Sequence, residues 1–168
     1  MRTILVVDDE AAVRRSVARV LEDDGYTVVS AENGREALEL LKERPVDLIL
    51  ADHHMPDLTG VDLLKLVRVR HPHVVRMILT ADKEPDTAVR SINESAVHRF
   101  IRKPWNNTDL RTIMHFAFET IRLEREKRRL ISFVEKERAA ERARRSPEDP
   151  VGLEDELVLL AEDELHGA

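Results

Sequence analysis

No cysteine occurs among the 168 residues, which excludes a disulfide framework, a thiol nucleophile and a zinc-thiolate centre and accords with a reducing compartment. Aromatic residues are scarce at 4%, whereas charged residues reach 36% and apolar ones 42%. Such a chain can bury a core, but much of its length belongs to exposed helix. Long apolar runs are also missing: the longest, Leu157 to Ala161, falls far short of the roughly 20 residues of a membrane-spanning helix. The apolar start, Met1 to Val7, breaks at Asp8-Asp9-Glu10, so it is no secretory h-region. These absences predict a soluble cytoplasmic protein without a membrane partner. Its length predicts one globular domain plus an appendage, since a domain takes roughly 100 to 200 residues.

What charge there is lies unevenly. Residues 1–118 carry 17 basic and 19 acidic side chains, residues 119–145 carry 10 and 6, and residues 146–168 carry 8 acids and no Lys or Arg. A near-neutral domain is thus followed by a basic segment and an acidic tail, with Ser146-Pro147 as the boundary and Pro150 and Gly152 beyond it. The expected division is a domain over 1–120, a helical extension over 121–146 and a tail over 147–168.

Short apolar runs alternate with helical periodicity. Ile4-Leu5-Val6-Val7 reads as a strand buried on both faces. Ala12, Val13, Val17, Val20 and Leu21 then recur at helical spacing until Gly25. Further strands are expected at Tyr26–Ser30, Leu48–Ala51, Val74–Leu79 and Val97–Ile101. The intervening helices are expected at Arg35–Glu43, Leu58–Arg70 and Asp86–Asn93, with another from Thr108 onward. Five strands alternating with five helices predict an α/β domain with a mostly parallel sheet and helices on both faces.

From about residue 108 nothing interrupts the helical pattern before Pro147. Phe116, Leu123 and Leu130 lie seven apart, with Phe133 three further on, which suggests a coiled-coil seam and a homodimer through the long helix. Glu119 and Glu126 fall in the other seam register and Glu137 follows Leu130 by seven, so the stripe is weak. The plainer alternative is a solvated helix held by pairs such as Glu124 with Arg128 and Glu141 with Arg145. The tail places Leu153, Leu157, Leu160, Ala161 and Leu165 at helical spacing among acids. It reads as an amphipathic docking element; the plain alternatives are a disordered end or a fragment of a truncated output domain.

In an open parallel sheet, ligands bind beyond the carboxyl ends of the strands. The expected strands end at Asp8-Asp9, Asp52, Thr80 and Lys103-Pro104. Three carboxylates, a hydroxyl and an ammonium would converge on one edge. Crowded carboxylates repel unless a cation binds among them, and an all-oxygen donor set suits Mg2+. An Asp beside Mg2+, a lysine and a hydroxyl can accept a phosphoryl group, because metal and ammonium offset the charge on its oxygens. Taken singly these residues have bland readings: Asp8 or Asp9 as a helix N-cap, Thr80 as a structural strand end, Lys103 as a solvated side chain. Their co-occurrence favours the phosphoacceptor.

The segments Asp8-Asp9, Asp52-His53-His54-Met55-Pro56 with Gly60, Thr80-Ala81 and Lys103-Pro104-Trp105, in this order and spacing, resemble the receiver domain of bacterial two-component response regulators over about residues 1–120. The resemblance implies a flavodoxin-like doubly wound five-stranded parallel sheet, (βα)5, with an extended C-terminal helix. It implies Asp52 as the phosphoacceptor, with Asp9 and Asp52 ligating Mg2+ by side chain, the His54 backbone carbonyl as a third ligand and Asp8 orienting a metal-bound water. Thr80 would hydrogen-bond the phosphoryl group and Lys103 would ion-pair with it. A cis bond before Pro104 and a switch position at Phe100 are implied as well, and His54 and Asp82 would line the path of the attacking water and tune dephosphorylation. Phe100 also has a plain reading, as core. An aliphatic residue is usual where His53 stands, so His53 is a departure. His53 and His54 do not suggest a shared metal, because neighbouring side chains leaving a strand point different ways.

Trp105 after Lys103-Pro104, with the run-on charged helix, resembles receivers attached to HD-GYP phosphodiesterases, cyclases or histidine kinases. No output domain is expected in this chain, so it reads as a phosphoacceptor that assists its own transfer rather than a separate output enzyme. The acidic tail argues against DNA, whose phosphates demand the opposite sign. The basic helix carries interleaved Glu and reads as a solvated or coiled-coil face, making nucleic acid an unlikely partner. The expected partners are a sensor histidine kinase, a second copy of the chain and an output protein. The competing reading is a constitutive scaffold, which need not keep every charged group of the acceptor set.

Overall fold

Strands β1 (Thr3–Val7), β2 (Thr27–Ala31), β3 (Leu48–Asp52), β4 (Val75–Thr80) and β5 (Arg99–Arg102) form one sheet in the order β2-β1-β3-β4-β5. All neighbouring pairs are parallel. The computed structural model describes residues 2–81 and 96–144. The helix expected at Asp86–Asn93, Asp82, and the tail lie outside the described residues. Among them stand four helices, α1 (Ala11–Asp23), α2 (Gly34–Glu43), α3 (Gly60–Arg70) and α4 (Asn107–Arg144).

The central strands β1 and β3 are buried along their whole length, because both faces of the sheet are covered there. Side chains alternate along a strand, so Ile4, Val6, Leu48, Leu50, Met77 and Leu79 face one layer, together with Val17 and Leu21 of α1 and Leu110, Met114 and Phe118 of α4. Leu5, Val7, Ile49, Ala51 and Ile78 face the other, against Ala37 and Leu41 of α2 and Val61, Leu64 and Val67 of α3. The Tyr26 ring stacks on Phe118 at 4.9 Å, and Arg111 of α4 pairs with Asp24 at the end of α1.

Caps set the helix ends. The Asn33 side chain accepts a hydrogen bond from the Glu36 N–H at 2.9 Å, and the Glu36 carboxylate reaches back to the Glu32 N–H at 2.8 Å. α3 begins two residues later than expected, because Thr59 rather than a residue before Leu58 is the cap: its hydroxyl accepts from the Asp62 N–H. α1 ends at Asp23, and beyond its C-cap Asp24 the chain turns at Gly25, which takes φ +78°, a backbone region open to glycine. β2, β3, β4 and β5 all run one residue further toward the site than the apolar runs suggest, since ladder hydrogen bonds continue past the last apolar side chain.

The contacts divide the chain into residues 1–123 and 124–168. In the first unit α4 buries Leu110, Met114, Phe118 and Ile121. In the second every described residue is exposed. Among the described residues no helix is long and apolar enough to cross a membrane.

Candidate functional site

In the strand order β2-β1-β3-β4-β5 the chain runs outward from β1 to β2 and then returns to β3 on β1's other side. The crevice at this reversal, beyond the strand carboxyl ends, is where such sheets bind ligands. Asp8 follows β1 and Asp52 ends β3, so the topology sets both carboxylates at the reversal. The Asp8 side chain is fully buried and that of Asp52 is 9% exposed. The β4–β5 pairing brings in the remaining groups: Thr80, buried at the end of β4, accepts a hydrogen bond through its carbonyl from the Lys103 N–H at 2.7 Å.

The Lys103 ammonium bridges the two acids, 2.8 Å from Asp8 Oδ2 and 2.6 Å from Asp52 Oδ1. Burial works to lower the Lys103 pKa, but hydrogen bonds to Asp52 and Asp8 outweigh it and hold the value above the ordinary lysine range. The second oxygen of each acid is also engaged. Asp52 Oδ2 accepts from the His54 N–H at 2.9 Å, and Asp8 Oδ1 accepts from the Glu10 N–H at 2.9 Å. With both oxygens held, each carboxylate has a fixed orientation. Asp8 therefore serves the loop and the lysine rather than capping α1, whose N-cap residue Glu10 makes no side-chain cap hydrogen bond.

Asp9 is exposed at the rim. Among the described residues no three His, Asp or Glu side chains gather as a metal-holding cluster, so Asp9 does not complete a preformed triad with Asp8 and Asp52. The donor set nevertheless fits a hard cation. Two buried carboxylates share the Lys103 ammonium, so ionised they leave a negative charge for a hard cation to offset, and Asp9 follows Asp8 directly in the chain. His53 and His54 stack ring on ring at 4.3 Å and belong to no metal cluster. Phe100 is 38% exposed on β5 and lies in neither core layer, so its plain reading as core does not hold. Trp105 packs against the first layer, and the Lys103–Pro104 bond is cis.

Arg14 was not singled out in the sequence, and Gly60 was named there only as part of the motif after Asp52. The Arg14 guanidinium on α1 donates to the backbone carbonyls of Asp8 and Asp9, the latter at 3.1 Å, bracing the acidic loop from below. The usable signal was an arginine one helical turn into the element that follows Asp8-Asp9. Gly60 presses on Asp52: a Cβ there would lie 2.0 Å from the Asp52 carbonyl oxygen and 3.0 Å from Ile78 Cδ1. A third buried acid, Asp47, lies at the opposite edge of the sheet, where it accepts from the Thr3 N–H at 2.8 Å.

Residues 4–115 match the family model of the response regulator receiver domain, and the chain belongs to that family, a signalling receiver rather than a catalytic output enzyme. It is 37% identical over 124 residues to the hydrogenase transcriptional regulatory protein HoxA of Bradyrhizobium diazoefficiens, covering 74% of this chain and 25% of that protein. The chain spans only about a quarter of the length of the curated relatives it matches. Among solved structures it resembles the signal receiver domain of an HD domain-containing protein from Pseudomonas fluorescens Pf-5, at 31% identity and TM-score 0.69 over 74% of this chain and 92% of that one. It also resembles a Thermotoga maritima response regulator solved in complex with Mg(2+)-BeF, at 28% identity and TM-score 0.63 over 70% of this chain and 99% of that one. The family typically uses Mg2+ for phosphorylation.

Proposed function

We propose that Asp52 accepts a phosphoryl group from a phosphohistidine of a sensor histidine kinase and that the resulting acyl phosphate switches the domain. The observation that carries this reading is the Lys103 ammonium held between the buried carboxylates of Asp8 and Asp52 at the sheet reversal. An Asp52 oxygen attacks phosphorus, the P–N bond to the imidazole breaks, and the imidazole leaves with its electron pair. The Asp52 orientation is set by the His54 N–H and Lys103, so little entropy is lost in reaching the in-line geometry. Mg2+, held by the Asp9 and Asp52 side chains and the His54 carbonyl with Asp8 acting through water, would neutralise charge on the transferring oxygens. Lys103 supplies the remaining positive charge and Thr80 a hydroxyl donor.

Once Asp52 is esterified it no longer offers Lys103 the same carboxylate, and Lys103 turns to the phosphoryl oxygens. Thr80 follows, and Phe100, already half out of the core, takes the space this vacates. The change would alter the β4–β5–α4 surface, a bistable element biased by a local charge event. On that surface Val75, Met77, His98, Ile113, Phe116 and Ala117 border an apolar groove, which supports homodimerisation through this end of the long helix, with Phe116 and Leu123 contributing. His54 and Asp82 would set the lifetime of the acyl phosphate, and an output protein or domain would read the switched face.

Intact mass after incubation with Mg2+ and an acyl-phosphate donor tests the reading. One added phosphoryl group, absent from Asp52→Asn, is expected. A chain that gains none, or an Asp52→Asn variant that keeps it on Asp8 or Asp9, overturns the assignment and leaves the scaffold.

A further inference from the structure

The second unit carries a surface that the receiver reading does not use. Along α4, Leu130 is 61% exposed and Phe133 58%, with Ile131 and Val134 also open. At 3.6 residues per turn Leu130, Phe133 and Val134 share one face with Leu123. One border of this stripe is purely basic: Arg125, Arg129 and Lys136 project along it with no acid between 124 and 144 on that side. Arg129, Leu130, Phe133 and Lys136 line a shallow groove there.

An apolar stripe with a basic border fits an apolar stripe with acids. The chain itself contains one: residues 146–168 hold 8 acids and no Lys or Arg, with Leu153, Leu157 and Leu160 at helical spacing. We propose that this segment docks on the Leu130–Phe133–Val134 stripe of its own α4, its carboxylates meeting Arg125, Arg129 and Lys136.

Reach permits it. The eight residues from Arg145 to Gly152 span up to about 26 Å extended, while Phe133 lies only about 17 Å back along the helix from Arg144. Pro147, Pro150 and Gly152 in this linker are residues that disfavour continuing a helix, as a reversal would need. Covalent attachment supplies an effective concentration in the millimolar range, so a modest intrinsic affinity suffices. A second copy is the poorer occupant of this part of the stripe. It would bring another net-positive helix, with 10 basic and 6 acidic side chains over residues 119–145, where the tail brings 8 acids and no Lys or Arg. The docking does not depend on phosphorylation of Asp52.

The absence of native cysteine makes a cross-link unambiguous. In the 168-residue chain, Ala161→Cys is combined either with Glu137→Cys, on the stripe, or with Glu135→Cys, on the opposite face and of equal charge change. Docking predicts an intramolecular disulfide that forms at least about tenfold faster with position 137 than with 135, an advantage of tethered, oriented encounter. Leu157→Gln with Leu160→Gln, or 1 M salt, should abolish that preference. Equal rates at 135 and 137 overturn the proposal. So does a disulfide that joins two chains, shown by mixing isotopically heavy and light protein, which would give the stripe to a second copy. Depletion of the intact chain by vesicles containing phosphatidylserine, with no preference at 137, overturns it in favour of a lipid surface.

Discussion

Lys103 and Asp8 stand 95 residues apart in the chain and 2.8 Å apart in the fold, and the same ammonium lies 2.6 Å from Asp52. Replacing Lys103 with Met removes the ammonium that bridges two buried acids. Breaking a buried pair costs about 3 to 5 kcal/mol when the remaining charge is stranded; with Lys103 17% exposed, a loss of about 2 to 3 kcal/mol is expected. Urea unfolding measures it. Millimolar Mg2+ should restore part of the loss, and a variant as stable as the parent without the metal would show that the acids are not charged together.

The raised Lys103 pKa also has a pH signature. A cation whose folded-state pKa lies above its unfolded value contributes stability that is complete below about 10.5 and fades as pH rises through the folded value. The melting-temperature difference between the parent and Lys103→Met should therefore be constant from neutral pH to about pH 10 and shrink above it. A difference that already collapses by pH 9 contradicts the bridge.

Much of this was legible in sequence because each signal was local. Ile4 to Val7 is apolar on consecutive positions, and only a strand covered on both faces calls for that. Asp8 and Asp52 sit at the ends of such runs and Lys103 directly after β5, so a parallel sheet puts them on one edge. Less visible were contacts that depend on how loops return. Gly60 carries no chemistry of its own; its meaning is the 2.0 Å approach of a missing Cβ to the Asp52 carbonyl. Arg76 is charged, yet it lies buried in β4, donating to the Ala96 and Val74 carbonyls at 2.8 Å. Periodicity weighs an arginine as surface and registers no partner 20 residues away.

His98 extends this hidden network. Its Nδ1 accepts from the Arg76 backbone N–H at 2.9 Å, while the His98 N–H donates to the Arg76 carbonyl at 2.8 Å, so an imidazole side chain supplies a rung of the β4–β5 ladder. Partial burial first, and then the Arg76 guanidinium, hold the His98 pKa below the ordinary 6.5. With the folded value lower than the unfolded one, the unfolded chain binds more protons. Stability is then full above about pH 6.5 and falls on acidification through the folded value. His98→Asn, which cannot titrate, should flatten the decline between pH 6.5 and 5 in thermal melts. An unchanged slope assigns that acid sensitivity elsewhere.

His54 is exposed beside the acceptor, and its backbone N–H donates to Asp52 Oδ2 at 2.9 Å, a bond that substitution of the ring leaves in place. His54→Ala should therefore leave the extent of phosphorylation by an acyl-phosphate donor within a small factor while changing the decay rate of the acyl phosphate severalfold, as expected of a side chain that orients or obstructs water. Intact mass followed over time reads both. Identical decay in His54→Ala and the parent removes the ring from the reaction.

Gly60→Ala gives the sharpest test of how packing and chemistry join. The glycine opens α3 immediately after the Thr59 cap, and its N–H donates to the His53 carbonyl at 3.1 Å, so α3 is pinned to the loop that leaves β3. A methyl group cannot fit 2.0 Å from the Asp52 carbonyl oxygen. Backbone has to move, and two routes are open. α3 can withdraw, uncovering Val61, Leu64 and Val67 from the second layer, or the Asp52 peptide can turn, which takes its carboxylate off Lys103 and the His54 N–H. The first route costs stability of about 2 to 4 kcal/mol, as in core disruption. The second costs phosphoryl acceptance even in a chain that still folds. Urea unfolding and intact mass on the same sample separate them, and Gly60→Ala with parental stability and parental phosphorylation would mean that α3 and Asp52 are not in contact.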